Sequence, residues 1–173
     1  GQDGSMLPPR WLEREVNTSY TQDHENLVRV FGAFLDIVPY VIMLEYCPGG
    51  SLQELISGDV NVSLLRISWY QRLKVALDIA TGMTHLHGQR IVHRDLKTAN
   101  VLLAEPIKTV NDVVHGKIAD FGLARYLPTE ERQTQLTREV GTWYFMAPEI
   151  FHANDVESYD EKTDVYSYAM TLC

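Results

Sequence analysis

Residues 91–103 read IVHRDLKTANVLL, and this stretch restricts the fold more than any other. Its ends, Ile91-Val92 and Val101-Leu102-Leu103, are apolar runs of the kind that end up inside. Between them lie His93, Arg94, Asp95, Lys97 and Asn100. Such a set does not fit inside a strand, because each buried polar group needs a partner and each buried charge a counter-charge. The segment therefore reads as a loop at the rim of a buried scaffold. A further carboxylate, Asp120, closes the apolar run KIAD and precedes Phe121 and Gly122.

A chain of 173 residues with 45% apolar side chains can build one sizeable core around that loop. Its net charge of −8 argues against nucleic acid as a partner, since phosphate binding calls for basic patches. The most apolar region, VRVFGAFLDIVPYVIMLEY, is broken by Arg29, Asp36, Pro39 and Glu45 and is not a membrane span. Two cysteines, Cys47 and Cys173, do not make a disulfide framework. With no secretory signal at the start, the expected setting is intracellular and cytoplasmic, and the sequons at Asn17 and Asn61 are chance matches.

The periodicities give a helix-like stripe at Trp11, Leu12, Val16 and Tyr20, then a hairpin from LVRVFGAF and YVIMLEY, then a short helix beginning near Ser51. The clearest helix is SWYQRLKVALDIATGMTHLH. Ser68 and Gln71 form a capping box at its start, and Gly88 is the expected stop. Its inward face is predicted to carry Trp69, Leu73, Ala76, Leu77, Ala80 and Met83. VLL and GKIAD read as short strands flanking a polar loop. The final stretch, DVYSYAMTLC, is apolar on nearly all sides, the pattern of a fully buried helix.

The chemistry follows from residue types. A carboxylate (Asp95) can orient a hydroxyl and accept its proton, and an ammonium (Lys97) can neutralise a phosphoryl oxygen. An amide and a second carboxylate (Asn100, Asp120) offer the hard oxygen donors that Mg2+ prefers. Together they describe phosphoryl transfer, where catalysis is mostly positioning and charge stabilisation.

HRDLKTAN at 93–100 resembles the protein-kinase catalytic loop, DFG at 120–122 its metal-binding motif and APE at 147–149 the end of its activation segment. HENLV, VIMLEYCPGGSL, GTWYFMAPE and DVYSY extend the likeness over most of the chain. The resemblance implies an α+β, two-lobed kinase fold, truncated at both ends. Residues 1–46 would hold the end of the family's helix C and its strands 4 and 5. Residues 47–173 would hold the hinge and the large lobe up to helix F, with an activation segment at 120–149. It also implies ATP and Mg2+ as cofactors and a protein substrate with a Ser or Thr acceptor. Asp95 and Lys97 would be catalytic, and Asn100 and Asp120 metal ligands. Leu44 would be the gatekeeper, backbone groups of Glu45 and Cys47 would bond the adenine, and Leu102 would lie beneath it. His93 would pack below Phe121, and Asp164 would steady the catalytic loop. Arg94 would pair with a phosphate on the activation segment, with Thr137 the first candidate and Thr129, Thr134 and Tyr126 the others. Lys97 and Thr142 follow the serine/threonine pattern, and the motifs look most like the tyrosine-kinase-like group.

Two parts of the family's pattern are missing from these residues. Nothing before residue 24 reads as a glycine-rich loop, and the first lysine is Lys74, already in the long helix. Glu15 stands where the helix-C glutamate belongs, and Glu149 lacks the late arginine that the family pairs with it, which would leave a partly buried carboxylate alone. The chain is therefore expected to be a piece of a kinase domain, inactive by itself. The rival reading is a kinase-derived scaffold that binds proteins without catalysis.

Overall fold

A computed structural model describes residues 8–57, 67–121, 142–152 and 160–173. The first element is helix α1, Arg10–Tyr20, which buries Leu12 and Val16 and leaves Tyr20 in solvent. Strands β1 (Val30–Phe34) and β2 (Val41–Leu44) pair antiparallel beside it, with a register break between Val30 and Gly32. Helix α2 (Leu52–Ser57) follows a glycine turn, and the long helix α3 spans Trp69–Gly88. Strands β3 (Val101–Leu103) and β4 (Gly116–Ile118) form a second antiparallel pair. The last helix, α4, is Glu161–Leu172.

Helix α3 starts as the sequence dictates. Ser68 Oγ accepts from the Gln71 amide, and Gln71 Oε1 accepts from the Ser68 amide at 2.9 Å. A cap of this kind is worth about 1 kcal/mol. The helix end differs from expectation. Gly88 is the last helical residue, but the left-handed position belongs to Arg90, at φ 58°. Around it the Ile91 amide bonds Leu86 O and the Arg90 amide bonds His87 O, the two bonds of a Schellman turn.

The inward face of α3 also differs from the predicted stripe. Gln71, Val75, Asp78, Ile79, Gly82, Met83 and Leu86 are buried, whereas Trp69 is 76% exposed and Leu73 and Leu77 face solvent. Both faces carry apolar residues, and polar satisfaction decides between them. Gln71 Nε2 donates to Thr109 O and Asp112 O at 3.0 Å each, and Asp78 Oδ2 accepts from the Gly116 amide at 2.9 Å. Buried polar groups with partners carry little penalty. At Gly82 a Cβ would lie 2.9 Å from both Asn26 O and Ile118 Cδ1, so glycine sets how closely α3 approaches β4. Val75, Ile79, Met83 and Leu86 then share one core with Leu103 and Ile118.

Helix α4 is not the fully buried helix of the sequence reading. Its buried residues are Thr163, Asp164, Ser167 and Thr171, while Val165, Tyr166 and Leu172 are exposed. The polar stripe is self-satisfied: Ser167 Oγ donates to Thr163 O, and Thr171 Oγ1 donates to Ser167 O. Ser167 Oγ also reaches Phe145 O at 2.7 Å, and Tyr168 OH donates to Ala76 O on α3. No described helix is long and apolar enough to cross a membrane.

Candidate active site

The loop between α3 and β3 leaves the helix through the Arg90 turn, and its far end, Thr98–Asn100, is one turn of 3-10 helix. Arg94 sits at φ 71°, a left-handed conformation that a side-chain-bearing residue adopts only when its surroundings enforce it. Asp164, 1% exposed, is the enforcing group. Its Oδ2 accepts from the His93 amide and its Oδ1 from the Arg94 amide, each at 2.8 Å. His87 Nε2 donates to Asp164 Oδ2, also at 2.8 Å. The carboxylate hydrogen bond raises the His87 pKa above its ordinary value, against the opposing effect of burial.

His93 is 1% exposed and joins this loop to the segment between β4 and Asp120. Its Nε2 donates to Ala119 O at 3.0 Å and its Nδ1 accepts from the Asp95 amide, which defines a neutral Nε2–H tautomer. Asn100 makes the second connection, because its carbonyl accepts from the Ala119 amide at 2.9 Å. Residue 119 is thus held from both sides, immediately before Asp120, which is exposed at φ 58°. Phe121 is buried in the main core.

The charged side chains converge. Lys97 Nζ lies 3.0 Å from Asp95 Oδ2. Asn100 Nδ2 donates to Asp95 O at 2.8 Å and to Asp95 Oδ2 at 3.1 Å. With its nitrogen so engaged, the Asn100 amide keeps its oxygen for another partner, and an amide oxygen near a carboxylate is a donor set that suits a hard cation. Thr98 Oγ1 donates to Gln53 Oε1, tying the loop to α2.

A small apolar cluster of Val28, Cys47 and Ala119, with Leu102 packed against it, lies between the segment after β2 and the β3–β4 hairpin. Burial, with the nearby Glu45 charge, raises the Cys47 thiol pKa. Leu44 is half-exposed on β2 and stands outside that cluster. Glu149 lies exposed in the turn Pro148–His152, so the sequence expectation of a costly, partly buried carboxylate is overturned. Gly122, Tyr126, Thr129, Thr134 and Thr137 fall outside the described residues. Glu15 and Thr142 lie in described backbone, in α1 and in the turn Thr142–Phe145, but their side chains are outside the description.

Three contributors escaped the sequence reading. Asn26 Nδ2 donates to Gly116 O at 3.1 Å and Asn26 O accepts from the Ile118 amide at 2.8 Å, so this residue anchors β4. His87 serves Asp164, and Lys117 Nζ pairs with Glu45. Asn26 follows Asp23, His24 and Glu25 in a polar run, so nothing local set it apart. For the other two the partner is too far along the chain to be inferred. His85 and His87 turn to different partners, since His85 Nε2 meets Gln22 Oε1 and the His85 ring sits 4.8 Å from that of His24.

The loop before the β3–β4 hairpin thus carries a carboxylate, an ammonium and an amide in one bonded group, and a second carboxylate, Asp120, follows two residues after β4. The sequence matches the protein kinase domain family over residues 5–173. It is 41% identical over 93% of its length to RGS domain-containing serine/threonine-protein kinase A of Dictyostelium discoideum, covering 13% of that protein. It is 35% identical over 96% of its length to serine/threonine-protein kinase STY46 of Arabidopsis thaliana, covering 28% of it. It is also 40% identical over 93% of its length to the dual specificity protein kinase splA of Dictyostelium discoideum, covering 7% of it. The chain therefore spans only a minor part of each of these relatives. It belongs to the protein kinase family.

Proposed function

We propose that this chain is the catalytic-loop portion of an ATP-dependent protein kinase that phosphorylates serine or threonine. The observation that carries the reading is the single bonded group formed by Asp95, Lys97 and Asn100, joined through Ala119 to Asp120. Asp95 orients the acceptor hydroxyl and takes its proton. Lys97, held beside it, offers an ammonium to the oxygens of the phosphoryl group in flight. Asn100 and Asp120 are the residues that hold magnesium through hard oxygen donors. Mg·ATP supplies the phosphoryl group and the charge neutralisation that its transfer requires. Leu102 and the Cys47 cluster form the apolar surface against which the adenine lies, with the Glu45 carbonyl and the Cys47 amide at its polar edge. Leu44 stands at the gatekeeper position. Arg94 and Thr137 belong to control by phosphorylation of the activation segment, and relatives named as serine/threonine kinases support the choice of acceptor.

The test is phosphoryl transfer from radiolabelled ATP by the natural gene product to peptide pools containing Ser, Thr or Tyr, followed by phosphoamino-acid analysis. Label on Ser or Thr is expected, with Asp95→Asn lowering kcat by about 10²–10⁴ as the loss of a general base does. Labelled Tyr alone would reject the acceptor assignment. A rate unchanged in Asp95→Asn would reject the mechanism.

A further inference from the structure

The segment 45–50 is a strap laid across the edge of the β3–β4 hairpin, and its two ends are fastened differently. At the far end the fastening is backbone. The Gly49 amide donates to Leu103 O at 3.1 Å and the Leu103 amide donates to Gly50 O at 2.9 Å. The approach is so close that a Cβ on Gly49 would sit 2.5 Å from Leu103 O. At the near end the fastening to β4 is a side-chain ion pair. Lys117 Nζ lies 3.0 Å from Glu45 Oε1 and donates to Glu45 Oε2 at 3.0 Å. Both side chains are well covered, at 15% and 29% exposed, so the pair sits in a less screened setting than a surface ion pair.

Glu45 also closes a triangle. Its amide donates to Arg29 O at 2.8 Å, and its Oε2 accepts from the Arg29 amide at 3.2 Å. One residue earlier, the Val28 amide donates to Ile118 O at 2.8 Å. The backbone side of the triangle reaches β4 only through the segment before β1. The ion pair is the direct link from residue 45 to β4, which ends two residues before Asp120. Between the two fastenings Tyr46 is 84% exposed and adds no packing, while Cys47 is buried against Val28, Ala119 and Leu102.

We propose that Lys117, through Glu45, is a positioning residue for the adenine end of the nucleotide site; this rests on the reading of the previous subsection. The polar groups assigned to the adenine edge, the Glu45 carbonyl and the Cys47 amide, lie on the strap. Leu102, assigned to the adenine face, lies on β3, and Lys117 pairs with it in register on β4. Hydrogen bonds to a flat base fall off steeply with misalignment, so the edge and the face must keep a fixed separation. The ion pair fixes it at the near end. Loss of the ammonium leaves Glu45 with only its bonds to the Arg29 backbone and loosens the near end of the strap relative to the face.

The experiment measures binding of three probes to the natural gene product by titration calorimetry: adenosine, Mg·ATP and Mg·pyrophosphate. In Lys117→Met the dissociation constants of adenosine and Mg·ATP are expected to rise roughly tenfold, the size of a common coupling within one network. Mg·pyrophosphate is expected to bind unchanged, and Lys117→Arg to recover most of the adenosine affinity. In turnover the same variant raises KM for ATP with kcat nearly constant. Should Lys117→Met fail to fold, Glu45→Gln keeps an acceptor oxygen for Nζ without the charge, and it should weaken adenosine about threefold while amides 45–47 exchange faster. Adenosine binding equal to wild type in a folded Lys117→Met refutes the proposal, and so does equal loss of adenosine and Mg·pyrophosphate. A wild-type protein that binds neither adenosine nor Mg·ATP overturns the nucleotide reading itself, and shows this before any substitution is made.

Discussion

Removing the Asp164 carboxylate should unfasten the loop at 93–100 while leaving the distant core formed. The side chain is 1% exposed and holds three donors at 2.8 Å: the His93 amide, the Arg94 amide and His87 Nε2. Hydrogen bonds to a charged group are worth about 1.5–3 kcal/mol each, but they do not add, and relief from burying a charge returns part of the loss. Two further effects have opposite signs. Two buried amides lose their acceptor, and the left-handed Arg94 at φ 71° loses the restraint that keeps it there, so that some strain of about 1–3 kcal/mol is released. The net expectation for Asp164→Ala is a destabilisation of about 3–5 kcal/mol, the usual cost of removing one partner from a buried charged network. Asp164→Asn keeps one acceptor oxygen and should cost about 2 kcal/mol.

The assay is urea denaturation followed by circular dichroism, combined with native-state hydrogen exchange. Amides 93 and 94 should lose protection first, ahead of Val101–Leu103 in β3. A stability within about 1 kcal/mol of wild type for Asp164→Ala would refute the argument. Unchanged exchange at 93 and 94 would do so independently, because those two amides are the direct reporters of the carboxylate.

The same network should respond to pH. The folded-state pKa of His87 is raised by its bond to Asp164, so its contribution to stability is fully present below the ordinary value of 6.5 and fades as pH rises through the higher folded value. Stability measured upward from pH 6 should therefore fall in wild type, and this fall should vanish or reverse in Asp164→Asn, where burial of His87 is left as the opposing effect. At the start of α3, Ser68→Ala removes only the cap and should cost about 1 kcal/mol. Gln71→Ala removes the cap's other half and also the bonds to Thr109 O and Asp112 O, so it should cost about 2–4 kcal/mol and loosen residues 104–115 in hydrogen exchange. Equal losses from the two substitutions would show that the buried amide contributes nothing beyond capping.

What could be read from the sequence was local. The capping box at Ser68 and Gln71 depends on residues three apart, and it is found as expected. The hairpin of β1 and β2 follows from two apolar runs and a short connection. The charged run at 93–100 identified itself by being out of place among apolar neighbours. The misreadings concern elements whose burial is decided by distant partners. Gln71 and Asp78 look like surface residues until the carbonyls of 109 and 112 and the amide of 116 are brought to them. The serine, threonine and aspartate of α4 look like interruptions in an apolar helix, yet they form the face that packs. Asn26, His87 and Lys117 act on groups 90, 77 and 72 residues away, distances over which periodicity carries no information.

The backbone geometry shows why so much of the site's support had to be non-local. Among the described residues, three other than glycine take positive φ: Arg90, Arg94 and Asp120. All three lie where the chain turns into or out of the candidate site, and none of these positions is conformationally at rest. Each is bordered by fixed neighbours. Arg90 is followed by the bond from the Ile91 amide to Leu86, Arg94 is held by Asp164, and Asp120 follows a residue bonded to both His93 and Asn100. Strain at such points persists only where the surroundings over-determine it. His93 belongs to two of these restraints, since Asp164 holds its amide while its ring holds Ala119. A disturbance at Asp164 should therefore reach the residue before Asp120 through that imidazole, and Asp95 as well, because its amide donates to the other ring nitrogen.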